Sequence, residues 1–481
     1  MVTHLAFSLN RKAIVDGILI PKYYDPELDI AVRLASKGFN LPELGEVLLP
    51  GASGSQLGTW IPREHYGTGD VPYVRTSDLT HWRIRPDYKK GVSTTLYEEL
   101  KGRQDVRPLD LLMVAHGSYL VGTSAIVDEE DAKLLLQDHV FRLRVNPTSG
   151  VDPYLLLAAL TTKFVKRQVR ARQFSADIID KIGERHLGIR VPLPQSEEQR
   201  VKVSCAVKAI IDQQTQIRAQ IKKVSKSNLR MTRERAEARH GFTVVRQDVR
   251  GRVLIPKYYD PALEAQLREA QADSGVPWVT LGQLVKDGVV SLGTGVEVGK
   301  MAYGTGTVPF IRTSDIADWE VKREPKQGVS QQVFAKFEKK AALKPLDVLV
   351  VRDGTYLVGS SALVTDADVP ALFCGGMFRL RVKEKDRLDP HVLLAYLNLP
   401  IARKQMRARQ FTRDVIDTLG NRILEVTIPS PFHKSAAAIG ERVRSIVAEK
   451  SEIKAAITSV VRLLEPEVPP ISLGRPGWSM R

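Results

Sequence analysis

The chain has 481 residues, of which 71 are lysine or arginine and 55 are aspartate or glutamate, so its formal net charge at pH 7 is +16. Hydrophobic residues make up 43% of the chain, which excludes wholesale disorder and is enough for the cores of two to four domains. The positive surplus favours a polyanionic partner, of which nucleic acid is the commonest. The alternative is a basic protein without such a partner.

The cysteines and the N-terminal sequence indicate a reducing, cytoplasmic location. Cys205 and Cys374 are far apart, and no CxxC or Cys/His cluster accompanies them, so we predict neither a disulfide framework nor a zinc site. Residues 1–20 do not follow the order of a secretory signal, and no apolar stretch is long enough to cross a bilayer.

The chain is an internal duplication, which must be recognised before its fold is predicted. The sequence IPKYYDP occurs at residues 20–26 and again at 255–261. The number of residues that separates Arg75 from its counterpart Arg312 also separates the two members of every repeated motif between Tyr66 and Phe174. The copies therefore have almost no net insertions relative to each other. The other repeated pairs are Tyr66–Gly69 with Tyr303–Gly306, Pro108–Asp110 with Pro345–Asp347, Tyr119–Gly122 with Tyr356–Gly359, Phe141–Val145 with Phe378–Val382, and Arg170–Phe174 with Arg407–Phe411.

Each copy has the same predicted elements in the same order. An N-terminal segment, which runs to Leu41 in copy one and to Val279 in copy two, precedes a glycine-rich stretch of strands. Residues 110–114 and 140–145 are predicted strands, and arginines interrupt the apolar pattern of the second as they would in a half-solvated strand. A helix is predicted to begin at Asp152-Pro153, with the aspartate as N-cap, and its twin at Asp389-Pro390.

A long amphipathic helix ends each copy. Its apolar residues follow heptad spacing, and one polar residue, Gln214 or Lys450, interrupts each stripe at the equivalent place. We predict that the two helices pair as an antiparallel coiled coil; the alternative is a helix packed on its own domain. Residues 226–240 are predicted to continue the first helix to a break at Gly241. The stripes are Val203, Val207, Ile210, Gln214, Ile217, Ile221, Val224 and Ile439, Val443, Ile446, Lys450, Ile453, Ile457, Val460.

The sequence carries no motif of a known catalytic centre. It has no phosphate loop, dinucleotide fingerprint, Asn-Pro-Pro-aromatic methyltransferase motif, His-x-x-x-His pair or Gly-x-Ser-x-Gly elbow. His116 has Asp353 as its counterpart, so a catalytic histidine at this position would leave one copy inert. We therefore predict a non-catalytic chain with no cofactor and no metal.

Three groups of residues are candidates for DNA contact. The repeated Arg-Thr-Ser-Asp motif suits phosphates or base edges, although it could equally close a turn. Two matching loops that differ in sequence are better candidates for base reading, because residues shared by both copies cannot explain different half-sites. A basic cluster after each helix suits phosphates, or is a solvated charged face. The candidates are Arg75, Thr76, Ser77, Arg312, Thr313 and Ser314; His116, Gly117, Ser118, Tyr119, Arg352, Asp353, Gly354, Thr355 and Tyr356; and Arg170, Arg172, Gln173, Arg407, Arg409 and Gln410.

The repeated segments VPYVRTSDLTHW, DLLMVAHGSYLVG and FRLRV are followed by VDPYLLLAAL, RARQF and VPLP. Through these segments the chain resembles, over residues 20–464, the specificity subunits of Type I restriction-modification systems. The IPKYYDP lead-in also resembles the junction of single-chain methylases, so the particular defence system stays open. The resemblance implies a phage-defence protein that binds a bipartite double-stranded DNA site. It also implies an adenine methyltransferase partner in two copies, which uses S-adenosylmethionine, and a translocating restriction subunit.

We therefore predict an α+β protein with two α/β target-recognition domains that alternate with two long helices in pseudo-two-fold symmetry. The predicted parts are recognition domain 1 (1–194), a central helical spacer (195–240), recognition domain 2 (241–429), a C-terminal spacer (430–465) and a tail (466–481). A helix of about 30 residues spans about 45 Å, or roughly 13 base pairs. A stand-alone DNA-modifying enzyme, or an adaptor for protein or RNA, is the alternative.

Overall fold

The computed structural model describes residues 11, 14, 18–80, 82–85, 90–117, 120–175, 180–227, 241–249, 254–322, 325, 327–354, 357–413 and 416–467. They form two compact units. Unit 1 takes the described residues up to Ile84, those between Tyr88 and Ala209, and those from Ile457 onward; unit 2 takes Arg85 and those from Ile210 to Ala456.

Unit 1 contains copy one, built from short strands and helices around an antiparallel sheet in the order β2-β10-β7-β8. In a second sheet, β6-β3-β9, the β3–β9 pair is parallel. The helices are α1 (Pro26–Ala35), α2 (Leu44–Val47), α3 (Thr94–Gln104), α4 (Pro153–Thr161), α5 (Lys163–Arg172) and the start of α6 (Glu197–Ser227). The strands are β1 (Phe39–Asn40), β2 (Ser55–Leu57), β3 (Val71–Val74), β4 (Leu79–Thr80), β5 (Arg83–Ile84), β6 (Gly91–Val92), β7 (Leu111–Val114), β8 (Ser124–Ile126), β9 (Leu135–Leu136), β10 (Val140–Leu143), β11 (Phe174–Ser175), β12 (Asp180–Lys181) and β13 (Leu193–Pro194).

Unit 2 contains copy two and repeats this topology. Its main sheet has the order β15-β23-β20-β21, and its second sheet is β19-β16-β22 with a parallel β16–β22 pair. The helices are α7 (Pro261–Ser274), α8 (Leu281–Lys286), α9 (Gln331–Ala341), α10 (Pro390–Leu397), α11 (Pro400–Arg409) and most of α12 (Ser435–Leu463). The strands are β14 (Trp278–Thr280), β15 (Val290–Thr294), β16 (Val308–Ile311), β17 (Ile316–Ala317), β18 (Glu320–Val321), β19 (Gln327–Val329), β20 (Val348–Val351), β21 (Ser361–Leu363), β22 (Leu372–Phe373), β23 (Met377–Val382), β24 (Phe411–Arg413), β25 (Ile416–Thr418) and β26 (Thr427–Pro429). The two copies therefore have sheets with corresponding strand orders.

The helix that follows the main sheet begins where the sequence predicts. The Asp152 carboxylate accepts hydrogen bonds from the backbone N–H groups of Tyr154 and Leu155, and proline occupies the first turn of α4. Asp389 caps α10 in the same way through the N–H of His391. Both caps are confirmed, because the carboxylate satisfies donors that a helix start leaves without partners.

The prediction of a half-solvated strand at residues 140–145 is wrong for β10. All four residues of β10 are buried, and Arg142 is only 2% exposed. Its guanidinium donates hydrogen bonds to the carbonyl oxygens of Ala52 and Ser53. These two carbonyls take the place of the water molecules that would solvate an exposed arginine. The neighbouring Arg144 pairs with Asp110 over distances of 2.7 and 2.8 Å, so this arginine also supports the fold.

Both heptad stripes lie on buried faces of α6 and α12. Val203, Val207, Ile210, Ile217 and Val224 are buried on α6, as are Val443, Ile446, Ile453, Ile457 and Val460 on α12. The helix α6 is described from Glu197 to Ser227, and residues 228–240, which are predicted to continue it, lie outside the described residues. The pairing of the two helices and the pseudo-two-fold symmetry stay predictions, as do the bounds of the five predicted parts of the chain.

The polar interruption of the α12 stripe makes a buried ion cluster in unit 2. The Lys450 amine lies 3.0 Å from the carboxylates of both Asp318 and Glu320, and its side chain is 9% exposed. Burial alone lowers the pKa of an amine, but here the two carboxylates outweigh burial and raise the Lys450 pKa above its ordinary value. Lys454, one turn further, adds a second amine 3.5 Å from Glu320.

Unit 1 is completed by the end of α12 and the residues that follow it. The Glu465 carboxylate accepts hydrogen bonds from the backbone N–H groups of Lys163 and Phe164, at 2.8 and 2.9 Å. These are the first two residues of α5, so a carboxylate from the far end of the chain caps this helix. Among the described residues, no helix is both long and apolar enough to span a membrane.

Candidate nucleic-acid interface

Four loop segments of copy one meet at one edge of its main sheet. The backbone N–H of Ala115, just after β7, donates to the carbonyl of His139, just before β10. The N–H of Gln137 donates to Val74, which precedes the Arg-Thr-Ser-Asp motif, and the N–H of Gly117 donates to Asp180 of β12. We call residues 75–78, 115–117, 137–139 and 180–181 the first loop cluster.

Copy two builds the same arrangement from its own backbone. The N–H groups of Arg352 and Asp353 donate to the carbonyl of Gly376, and that of Cys374 donates to Ile311. The N–H of Gly354 donates to the carbonyl of Asp417 on β25. Residues 312–315, 352–354, 374–376 and 417–418 are the second loop cluster. Each copy thus gathers two of the three predicted contact groups, the Arg-Thr-Ser-Asp motif and the divergent loop.

Residues that both copies share hold the hairpin beside each cluster in place. The side-chain amide of Gln173 donates to the Asp180 carboxylate at 3.0 Å, and Gln410 donates to Asp417 at 3.1 Å. The Arg185 guanidinium lies 4.1 Å from the centre of the Phe174 ring and donates to the carbonyl of Arg172. The equivalent Arg422 does the same to Phe411 and Arg409. Gln173 and Gln410 are therefore frame residues, whatever else they contact.

The arginines at the ends of α5 and α11 divide into exposed and inward-facing side chains. Arg170 and Arg407 are exposed. Arg172 donates to the carbonyl of Gly188, and Arg409 is only 8% exposed. Only the first pair presents its charge to solvent, so the predicted phosphate contact of Arg172 and Arg409 has no geometric support within the described residues.

The Arg-Thr-Ser-Asp motif closes a turn in both copies. The buried Asp78 carboxylate accepts the backbone N–H of Arg75 at 2.9 Å, and Asp315 accepts that of Arg312 at the same distance. The Arg75 side chain donates to the amide oxygen of Gln137, whereas Arg312 lies over the Tyr303 ring. The aspartate is thus structural. The other members, Thr76, Ser77, Thr313 and Ser314, are half-buried, and their contact with DNA stays a prediction.

Copy one places two histidines side by side in its loop cluster. The rings of His116 and His139 are 4.6 Å apart, and the buried Nδ1 of His116 has no hydrogen-bond partner. Burial, His139 and Lys181 together lower the pKa of His116 to about 4, against a smaller opposing effect of Asp138. His116 is therefore neutral at pH 7, so it offers a donor and an acceptor to a partner and no charge to a phosphate.

We expect His116 to make the stability of the protein depend on pH. Because its folded-state pKa lies below the ordinary 6.5, the unfolded chain takes up a proton that the folded one resists, so stability is lost as pH falls from 6.5 towards 4. Between pH 7 and 5, the wild type should lose on the order of 1 kcal/mol more free energy of unfolding than His116→Asn. Urea unfolding at both pH values measures this, and the exposed His433→Asn is the control. Equal losses in wild type and His116→Asn would contradict the expectation.

Copy two places a charged pair where copy one has Ala115 and His116. The Arg352 guanidinium donates to both carboxylate oxygens of Asp353, at 2.9 and 2.7 Å. Beside this pair lies the buried thiol of Cys374, whose pKa is raised by burial. The Glu297 carboxylate approaches the cluster at Gly375, where a Cβ atom would lie 2.6 Å from its oxygen. The two clusters thus share a backbone frame and differ in side-chain chemistry.

Sequence reasoning missed the third loop of each cluster. Gln137, Asp138 and His139 stand opposite Cys374, Gly375 and Gly376, equal in length and different in chemistry. The same comparison that singled out residues 115–119 could have found them. Four predicted contact residues, Ser118, Tyr119, Thr355 and Tyr356, lie outside the described residues. Within the described part of the chain, no group of three or more histidine, cysteine or acidic side chains is arranged to hold a metal ion.

Comparisons with known proteins gave matches only among solved structures. No protein-family model and no curated protein matches the chain. The S subunit of a Type-I restriction-modification system from M. genitalium is 11% identical, with a TM-score of 0.35, over 90% of this chain and 97% of that one. The HsdS subunit from Thermoanaerobacter tengcongensis is 16% identical, with a TM-score of 0.28, over 90% and 97%. A structure of the assembly and conformational transition of the type I R-M system is 17% identical, with a TM-score of 0.27, over 89% and 96%. All three belong to Type I restriction-modification systems.

Proposed function

We propose that the chain is the DNA-binding specificity subunit of a Type I-like restriction-modification system and that each copy reads one half of a bipartite site. One observation carries this proposal: the two copies share the frame of their loop clusters and differ in the side chains that the frame presents. A residue that is identical in both copies cannot discriminate two different half-sites, so the differing residues are the ones that specify bases.

The chemistry of the clusters suits base edges. The arginine of copy two matches guanine, and the neutral His116 of copy one offers hydrogen bonds without charge. Glycines 117 and 354 have φ values of 128° and 138°, in the region that favours glycine, so the loops turn sharply where they leave the sheet. Recognition of a bipartite site requires two copies of one backbone frame that carry different side chains in their loops, and the two loop clusters have this arrangement.

The exposed arginines in the last turns of α5 and α11 supply contacts to phosphates. We expect Arg170→Ala and Arg407→Ala each to weaken binding of all duplexes alike, with the salt dependence of log K falling by about one unit per arginine. Titration of the full chain against specific and unrelated duplexes at several salt concentrations measures both effects. A change in base preference in either variant would assign that arginine to base reading instead, and an unchanged salt dependence would remove it from the interface.

The family that the repeated motifs resemble supplies the expected partners. We propose that the chain directs an adenine methyltransferase, present in two copies, and a translocating restriction subunit to the DNA site in the cytoplasm. S-adenosylmethionine would bind to the methyltransferase rather than to this chain. The paired long helices would fix the number of unread base pairs between the half-sites.

Sequencing of methylated bases tests this function directly. The chain and its neighbouring genes are expressed in cells without other adenine methylation, with and without an intact copy of the chain. The proposal predicts one bipartite motif with a fixed gap, which disappears when the chain is deleted. Methylation of the same motif without the chain would contradict the proposal. So would cleavage or methylation of DNA by the purified chain alone, with Mg²⁺ or S-adenosylmethionine, since that would indicate a stand-alone enzyme.

A further inference from the structure

The adjacent side chains of Arg352 and Asp353 form a pair that leaves one edge of the arginine available. Nε of Arg352 donates to Oδ1 of Asp353, and Nη2 of Arg352 donates to Oδ2. The carboxylate therefore occupies the edge of the guanidinium that Nε and Nη2 form. Nη1 has no hydrogen-bond partner among the described residues, and the arginine side chain is 29% exposed. The end of the guanidinium, formed by Nη1 and the second hydrogen of Nη2, therefore remains able to donate two parallel hydrogen bonds.

Further contacts of the second loop cluster hold this pair. The Thr418 hydroxyl donates to Oδ1 of Asp353 at 2.6 Å, and the guanidinium lies 5.6 Å from the centre of the buried Phe378 ring. The backbone of both residues is tied to Gly376. A long, flexible side chain is thus restrained from three directions, which reduces the entropy that it would lose on binding.

We propose that Asp353 is a positioning residue that presents the end of Arg352 to a guanine in the half-site read by copy two. The end of an arginine matches O6 and N7 of guanine in the major groove, and this is the commonest specific contact between a protein and a base. Asp353 holds the plane of the guanidinium, so that the two free donors meet the base in one orientation. The assignment rests on the proposed function, since it specifies one base contact of the same interface.

In copy one, none of the three polar residues that form this arrangement is kept. Ala115, His116 and Lys181 occupy the positions of Arg352, Asp353 and Thr418. The aromatic floor is kept, as Phe141 occupies the position of Phe378 and is 5% exposed. A guanine contact of this type therefore belongs to one half-site only, and His116→Ala is a matched control that acts on the other half.

The test uses the full chain expressed with its neighbouring genes and measures the methylated motif, together with binding of duplexes changed at single base pairs. Arg352→Ala should abolish the preference for guanine at one base pair, by about 10- to 100-fold. Asp353→Ala and the isosteric Asp353→Asn should relax preference at that same base pair by roughly three- to tenfold, because the arginine stays charged but loses its orientation. Thr418→Val should relax it less, and His116→Ala should change only the other half-site.

The other half-site reports whether each variant is folded, since it is read by copy one. Full guanine preference in both Asp353 variants, with Arg352→Ala still abolishing it, would overturn the positioning role. Unchanged preference in Arg352→Ala would overturn the base contact while leaving the specificity function in place. A wild-type chain on which no methylated motif depends would instead remove the proposed function itself.

Discussion

Replacement of residues 115–119 by residues 352–356 is expected to change the bases recognised in one half-site and to leave the other half-site unchanged. The two segments have equal length, and the backbone hydrogen bonds that hold Ala115 and Arg352 are equivalent, so the frame accepts either loop. Each mismatched base pair in a site costs about 1–3 kcal/mol, so affinity for the original half-site should fall at least about fivefold. The methylated motif of cells carrying the variant measures the change.

The reciprocal exchange is the natural control, and it should alter the second half-site alone. The first exchange, combined with Lys181→Thr, should show a stronger guanine preference in the altered half-site. In copy two Thr418 donates to Asp353, whereas Lys181 at the equivalent position of copy one would compete with the arginine for the transplanted carboxylate. Loss of recognition in both halves by a single exchange would contradict independent copies.

The second large effect concerns stability, and we expect Lys450→Gln to lower the free energy of unfolding by about 3 kcal/mol. The substitution removes the amine that pairs with both Asp318 and Glu320 in a buried setting, and only Glu320 keeps the nearby amine of Lys454, at 3.5 Å. Removal of one partner from a buried ion pair typically costs 3–5 kcal/mol, and the lower end applies because the Asp318 side chain is 24% exposed. Glutamine is also the residue that copy one carries at the equivalent position.

Urea unfolding followed by circular dichroism measures this loss. Glu452→Gln, on an exposed position of the same helix, changes a charge without breaking a buried pair and should stay within about 0.5 kcal/mol of the wild type. Asp318→Asn combined with Lys450→Gln should cost less than the sum of the two single changes, since each removes the same interaction. Additive losses would contradict the ion cluster.

Features that depend on nearby residues were predictable from the sequence. The caps at Asp152 and Asp389 follow from a carboxylate followed by proline, and α6 follows from its apolar spacing. The burial of Arg142 was not predictable, because the carbonyl groups that satisfy it lie about 90 residues away in the chain. Local patterns report the period of an element, but they do not report which distant atoms solvate its polar side chains.

The same distinction separates the parts of the loop clusters. The comparison of copies found His116 and Arg352, since a differing loop of equal length is visible in an alignment of the chain with itself. The position of His139 beside His116 depends on the pairing of β7 with β10 and became visible only in the fold. The pairing of Arg352 with Asp353 needs a rotamer, which a sequence does not specify.

The cap that Glu465 places on α5 has a consequence for the order in which the protein is made. A ribosome releases copy one long before it reaches residue 465, so the first two N–H groups of α5 lack this acceptor until Glu465 has been made. Products that terminate early therefore carry an incomplete first half, which leaves them exposed to degradation before they can compete with the finished protein for DNA.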